Sequence, residues 1–176
     1  MNNIMLDLET MGNNSNSPLI AIGAIYFDQN GLGGEFYTQV QLESHVKLGA
    51  EIDSSTILWW LKQSDQARSA FKGNESADPL WIALGKFSQF VGTNGNKIKI
   101  WGNGAAFDNV ILGNAYRLSN LEQPWKFWND MCYRTIKNIY SDVEMQRVGT
   151  HHNALDDAKS QAVHLIQIAN KHGVEL

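Results

Sequence analysis

The chain has 176 residues, 43% of them hydrophobic and 18% charged, which is enough to bury a core within one domain spanning residues 1–176. Its formal net charge of −4 excludes the broad basic surface of a nucleic-acid coat protein. That charge does not exclude an enzyme whose acids gather at a cation site, because a bound divalent ion inverts the local field. The single Cys132 excludes an internal disulfide framework. No apolar run is long enough for a bilayer and no leader is visible, so a cytoplasmic protein without membrane contact is expected.

In chain order, Asn3 to Glu9 reads as a short buried strand and Leu19 to Phe27 as a second, separated by the loop chemistry of Gly12 to Pro18. Asp28 to Gly31 is a turn, and Glu35 to Gln41 alternates like a third strand, giving an antiparallel meander. Asp53-Ser54-Ser55 offers an N-cap for a helix through about Phe71, ended by Gly73. Asp78-Pro79 opens another helix, with apolar positions at Leu80, Ile82, Leu84, Phe87, Phe90 and Val91. Lys97 to Trp101 alternates as a strand, while Phe107 to Leu118 and Asp130 to Tyr140 read as helices. Ala154 to Lys171 forms a last amphipathic helix, with Ala158, Ala162, Leu165, Ile166 and Ala169 on one face and Gly173 at its end. A meander followed by alternating helices and strands implies an α/β fold, a mixed sheet with helices packed on it.

Three short segments carry chemistry. In Ile4-Met5-Leu6-Asp7-Leu8-Glu9-Thr10, strand alternation puts Asp7 and Glu9 on one face. Two such acids are hydrated at a strand end, or they are neutralised by a hard cation such as Mg²⁺ or Mn²⁺. Asp108 follows Trp101-Gly102-Asn103-Gly104-Ala105-Ala106-Phe107, just beyond a strand, where ligand sites gather. By itself it also serves as an acid stabilising a helix N-terminus. In Thr150-His151-His152-Asn153-Ala154-Leu155-Asp156-Asp157-Ala158, a His precedes a helix and an acid follows within its first turn. That pattern suits proton transfer from a metal-bound water, or simple capping. Their conjunction is more specific than any part, since four carboxylates converging at sheet ends can hold two metals roughly 4 Å apart for in-line phosphoryl displacement.

Together these segments resemble the DEDDh exonucleases of the DnaQ-like, ribonuclease H-like superfamily. The matching motifs are Asp7-Leu8-Glu9-Thr10, Asn103-Gly104-Ala105-Ala106-Phe107-Asp108 and His152-Asn153-Ala154-Leu155-Asp156-Asp157-Ala158. The resemblance runs from residue 4 to about 170, and Ser55 to Ser64 is similar to a phage and bacterial branch related to ribonuclease AS. His151 with Asp156 repeats the spacing of His152 with Asp157, but only the second register puts Ala154 and Ala158 where the family pattern has alanine. The family's second motif usually has His-Asn where this chain has Asn103-Gly104, a departure near the substrate backbone.

The resemblance implies a ribonuclease H-like mixed five-stranded sheet, an antiparallel three-strand meander and then parallel strands, flanked by helices. It implies a 3′-5′ exonuclease releasing nucleoside 5′-monophosphates from single-stranded DNA or RNA ends with two divalent ions, Mg²⁺ or Mn²⁺, and it is compatible with a homodimer. Asp7, Glu9 and Asp157 would hold one ion; Asp7 would bridge to a second, supported by Asp108; His152 would be the general base, worth about 10²–10⁴-fold in rate. Leu8 and Met11 would frame the terminal base, Thr10 would meet the 3′-OH, and Phe107 or Trp60 would stack the base. Trp59 and Trp60 point about 100° apart on a helix, so one can be core while the other faces the cleft. Trp81, Trp101, Trp125 and Trp128 are read as core, and His45, His164 and His172 as surface or capping histidines.

Three other readings compete, the weakest a Zn-dependent hydrolase using His151 and His152, since adjacent histidines diverge and no third His or Cys ligand is nearby. An internally cutting ribonuclease H-like endonuclease would keep the acids without needing the His152 segment, and an inactive nucleic-acid binding module would lose an acid and gain a basic surface.

Overall fold

The computed structural model describes residues 1–176. Its sheet has five strands: β1 (Asn3–Thr10), β2 (Leu19–Asp28), β3 (Gly31–Gln39), β4 (Lys99–Gly102) and β5 (Asp130–Cys132), in the order β3-β2-β1-β4-β5. β1, β2 and β3 pair antiparallel, whereas β4 pairs parallel with β1, and β5 with β4. This is the expected mixed sheet. Helices α1 (Leu42–Val46), α2 (Ser54–Trp60), α3 (Leu80–Val91), α4 (Asp108–Leu118), α5 (Tyr133–Ile139) and α6 (Ala154–His172) flank it. No helix is long and apolar enough to cross a membrane.

Alternation in β1 sorts its side chains between two layers. Ile4, Leu6 and Leu8 face a core completed by Leu84 and Phe87 of α3 and by Ile111 and Leu112 of α4. Met5 faces the other way, against Phe27, Trp101, Tyr133 and the small α6 residues Ala158 and Ala162. Asp7 and Glu9 continue the Met5 face, the face that α6 covers. Both sides of β1 and β2 are therefore buried, which is why these strands read as nearly continuous apolar runs.

Gly23 sets the distance between α6 and the sheet. It lies opposite Asp7 in the β1–β2 ladder, and a Cβ there would overlap the backbone of Ala154 and Leu155 at the start of α6. Gly23→Ala should therefore destabilise the fold by roughly 1–3 kcal/mol through overpacking. It should also cut activity far more than the same change at the open Gly85, measured by thermal melting and turnover side by side. Equal effects at the two glycines would sink this assignment.

Several elements depart from the sequence reading. The helix expected from Ser54 to about Phe71 stops at Trp60 and resumes as a 3-10 turn at Ala67–Phe71. At the break, the Ser64 hydroxyl accepts from the Ala67 amide and the Arg68 guanidinium donates to the Leu61 carbonyl, so local side chains replace the helical ladder. The expected helix from Asp130 begins at Tyr133, because Asp130–Cys132 pairs with β4 as the edge strand. β3 starts at Gly31 rather than Glu35 and ends at Gln39. Trp101 and Trp125 are buried, but Trp81 and Trp128 are 61% and 64% exposed, so neither belongs to the core. His45 and His164 are buried rather than at the surface. His45 accepts the Leu19 amide at Nδ1, and burial pushes its pKa down to about 4, so it is a neutral structural group.

Candidate active site

The C-terminal end of β1 and the N-termini of α4 and α6 meet at one cleft of 870 Å³. Ligand sites in open sheets form at such strand ends. Asp7, Glu9, Thr10, Phe107, His152 and Asp157 line it.

Asp7, Glu9 and Asp157 each offer a carboxylate oxygen, and the three oxygens lie within 4.8 Å of one another. Burial and the neighbouring carboxylates Asp108, Glu9 and Asp157 hold Asp7 well above the usual carboxylate range. Burial, with Asp157 and Asp108 adding, pushes Glu9 up to about 8. No Lys or Arg pairs with either side chain. Asp7 and Glu9 are hard oxygen donors crowded together without a counter-ion, and with Asp157, whose one partner is Arg147, they form the donor set that a hard divalent cation neutralises. The chemistry of these side chains therefore fits Mg²⁺ or Mn²⁺.

Asp108 is placed differently. It is 1% exposed; its Oδ1 accepts the Leu8 amide at 3.2 Å and its Oδ2 accepts the Asn103 amide at 2.7 Å. Burial pushes its pKa up to about 6, opposed by those two amides. Gly102 makes this possible, since a Cβ there would strike Asn109 and press on Asp108. Asp108 thus does not line the cleft but is tied to the backbone of β1 and of the loop after β4.

The last segment places its duplicated residues apart. Asp157 Oδ2 accepts the His152 amide at 2.9 Å, whereas Asp156 turns away to accept the Thr150 amide at 2.8 Å. Asn153 caps α6 by accepting the Asp156 amide. His152 is held at φ +61°, an uncommon backbone conformation for a residue other than glycine. Its ring packs edge-on against Trp59 at 4.9 Å, with His151 stacked outside it at 3.7 Å. Burial and the neighbouring His151 lower the His152 pKa, leaving a neutral imidazole as proton acceptor near pH 7.

Among the substrate-binding expectations, Leu8, Thr10 and Phe107 line the cleft, and the Thr10 hydroxyl donates to the Gly12 carbonyl. Met11 does not line it. It packs with Ile20, Trp60, Ala67 and Ala70 in a small satellite core. Trp60 presents only an edge: it is 4% exposed, packs on Phe71, and its indole N–H donates to the Thr10 carbonyl at 3.0 Å. A ring so enclosed has no face left for a base, whereas Trp59 is 41% exposed and lines the cleft.

Sequence reasoning missed two polar groups that hold the carboxylates. Gln161, one turn beyond Asp157 on α6, donates to Asp7 at 2.7 Å while its own Oε1 is buried without a partner. Its i+4 spacing from Asp157 was the available signal. Arg147 forms an ion pair with Asp157 from a stretch without regular structure, where no periodicity could point to it. Lys62, Arg134 and Lys137 also line the cleft, giving a cationic rim around an acidic floor.

The 3′-5′ exoribonuclease Rv2179c-like domain family matches residues 2–169. A curated relative, an exodeoxyribonuclease of Enterobacteria phage T4, is 26% identical over 160 residues, covering 77% of this chain and 70% of the relative. The nuclease domain of 3′hExo, a DEDDh family member bound to rAMP, has a similar fold with a TM-score of 0.67 at 16% identity, covering 99% of this chain and 94% of that one. S. pombe Pop2p, in a form bound to Mg²⁺ and Mn²⁺, matches with a TM-score of 0.64 at 14% identity, covering 98% of this chain and 84% of that one.

Proposed function

The chain belongs to the 3′-5′ exoribonuclease Rv2179c-like domain family and is a 3′-5′ exonuclease, and from that premise we propose that it removes nucleoside 5′-monophosphates from single-stranded DNA or RNA ends by a two-metal reaction. The observation that carries the reading is the convergence of Asp7, Glu9 and Asp157 beside a neutral His152. Asp7, Glu9 and Asp157 would hold one divalent cation, and Asp7 with Asp108 would support a second. Bound there, the ions supply Lewis-acid stabilisation of the charge that develops on the attacking and leaving oxygens.

The remaining work falls to the chain's own groups. Gln161 and the Leu8 and Asn103 amides fix Asp7 and Asp108 before substrate arrives, so orientation is already set. Phe107 and the exposed Trp59 give the terminal base apolar surfaces, a contact worth about 1–3 kcal/mol per stacked base. Thr10, beside Glu9 at the end of β1, is the group for the free 3′-OH. Water adds to phosphorus, a ring nitrogen of His152 accepts the water's proton, the P–O3′ bond breaks, and the departing O3′ takes a proton from solvent to become the new 3′-OH. His152 lies against Trp59 and so is kept in position by the wall that receives the base.

An enzyme built to hold a 3′ end requires an unpaired, unblocked terminus. A free single-stranded 3′ end should be cut faster than a recessed or 3′-phosphorylated one, and a 5′ block should matter little. Activity should need Mg²⁺ or Mn²⁺ and vanish in excess chelator, measured by mononucleotide release from matched DNA and RNA strands. Rapid cutting of a circular strand would make the enzyme an endonuclease instead.

A further inference from the structure

Arg147 is the one cation paired with a carboxylate of the central cluster. Its Nη1 donates to Asp157 Oδ1, while Asp157 Oδ2 is already taken by the His152 amide, so the guanidinium occupies the second oxygen of a carboxylate that stands with Asp7 and Glu9. An arginine carries five N–H donors in a planar fork, and this one spends a single donor on Asp157. The side chain is 42% exposed and lines the cleft, and its charge is felt at both His152 and Tyr133.

The backbone around Arg147 is pinned. Buried Ser160 of α6 takes the Val148 amide at 2.9 Å and returns its hydroxyl to the Val148 carbonyl at 3.2 Å. Four residues before Arg147, the Val143 carbonyl meets His164 at 2.7 Å, and His164 meets the Tyr133 hydroxyl at 2.6 Å. Arg147 is therefore carried between two anchored points of the backbone, with its side chain reaching into the cleft.

On the reading that Asp157 is a metal ligand, one carboxylate, both of whose oxygens are already engaged, has two claimants of like charge. A divalent cation drawing on Asp157 repels the guanidinium and removes its acceptor at once. Released from Asp157, the fork stays inside a cleft whose substrate is a chain of phosphates, the acceptor its geometry suits best. We infer that Arg147 is a phosphate-binding residue parked on Asp157 until a divalent cation takes that carboxylate, after which it grips the backbone of the bound strand. Metal loading and strand capture are thereby linked through one side chain.

The test reads metal binding apart from turnover. Mn²⁺ is titrated calorimetrically into the full chain without nucleic acid, and KM and kcat are then measured on a single-stranded oligonucleotide. Arg147→Gln should bind Mn²⁺ about three- to tenfold more tightly than the wild type, since the competitor is gone. Its KM should rise about tenfold, with the loss falling on KM more than on kcat. Arg147→Lys keeps a charge for Asp157 but loses the fork, so Mn²⁺ affinity should stay near the wild-type value while KM still rises. Unchanged or weaker Mn²⁺ binding in Arg147→Gln would show that Arg147 is a permanent brace, and an unchanged KM would remove the phosphate contact. Asp157→Asn separates the inference from its premise: it should lose Mn²⁺ affinity, and if it does not, the metal role of Asp157 fails and the exchange with it.

Discussion

Asp7→Asn is expected to abolish activity and, in the metal-free protein at pH 8, to raise thermal stability. The two effects have one cause. Asp7 and Glu9 lie on the α6 face of β1 with Asp157 and Asp108 nearby, and burial, with the neighbouring carboxylates adding, disfavours ionisation of both. The folded-state pKa of Asp7 is raised well above 3.8 and that of Glu9 from 4.5 to about 8. An acid with a raised folded pKa holds its proton longer in the folded state than in the unfolded one. Its contribution to stability is thus full below the unfolded value near 4 and is lost as pH rises through the folded value. The metal-free wild type should therefore melt at a lower temperature at pH 8 than at pH 5. Asn at position 7 keeps the oxygen that accepts from Gln161, removes one charge, and presents an amide to the remaining carboxylates. Its melting curve should be higher at pH 8 and flatter with pH, with about 2–4 °C corresponding to each kcal/mol in a chain of this length. Added Mn²⁺ should stabilise the wild type and do little for the variant. Turnover should fall by on the order of 10³ or more, since the side chain proposed to be shared by two ion positions is gone. A lower metal-free melting temperature at pH 8 would show that Asp7 is a structural group, and wild-type turnover would remove it from the reaction.

What the sequence made legible follows from where local pattern and global fold agree. Asp7 and Glu9 could be placed together because strand alternation is rigid and β1 is apolar enough to be recognised. The final helix was equally plain from its amphipathic face and its Gly173 end, and both appear in the structure. β5 was hidden because three residues carry no period, and Asp130–Cys132 runs straight into α5. Trp60 was misplaced for a related reason. Adjacent helical positions diverge, but which one turns inward is decided by the Thr10 carbonyl and Phe71, contacts made across the fold. Met11 sits one residue past the recognisable motif, where the chain has already turned into the satellite core. Gly23 carries no signal of its own within the apolar run of β2, yet it is the place where α6 comes down onto the sheet. Arg147 and Gln161 lie outside the three motifs that the resemblance supplies, so a reading organised on those motifs passes over them.

His152→Asn is expected to cost about 10²–10⁴-fold in kcat, the contribution of a positioned general base, and His151→Asn less than about threefold. Spacing alone does not separate the two histidines, since each has an aspartate five residues on. The separation comes from what each aspartate does. Asp156 is spent on the Thr150 amide and the preceding loop, while Asp157 stands with Asp7 and Glu9 and fastens the His152 amide. His152 is consequently the histidine wedged between Trp59 and His151, half-buried and with a lowered pKa, and His151 is the exposed outer layer of the stack. Asparagine is the substitution to use because position 152 has φ +61°, a conformation that asparagine tolerates and alanine resists. The variant then keeps the backbone turn and its amide contact to Asp157 and loses only the titrating ring. The pH–rate profile gives a second readout. A base with a lowered pKa places the acid limb of wild-type kcat below 6.5, and that limb should disappear in His152→Asn and persist in His151→Asn. Equal losses in the two variants would mean that the stacked pair acts as a unit. A larger loss at His151 would move the reaction to the outer ring and transfer the paired carboxylate from Asp157 to Asp156.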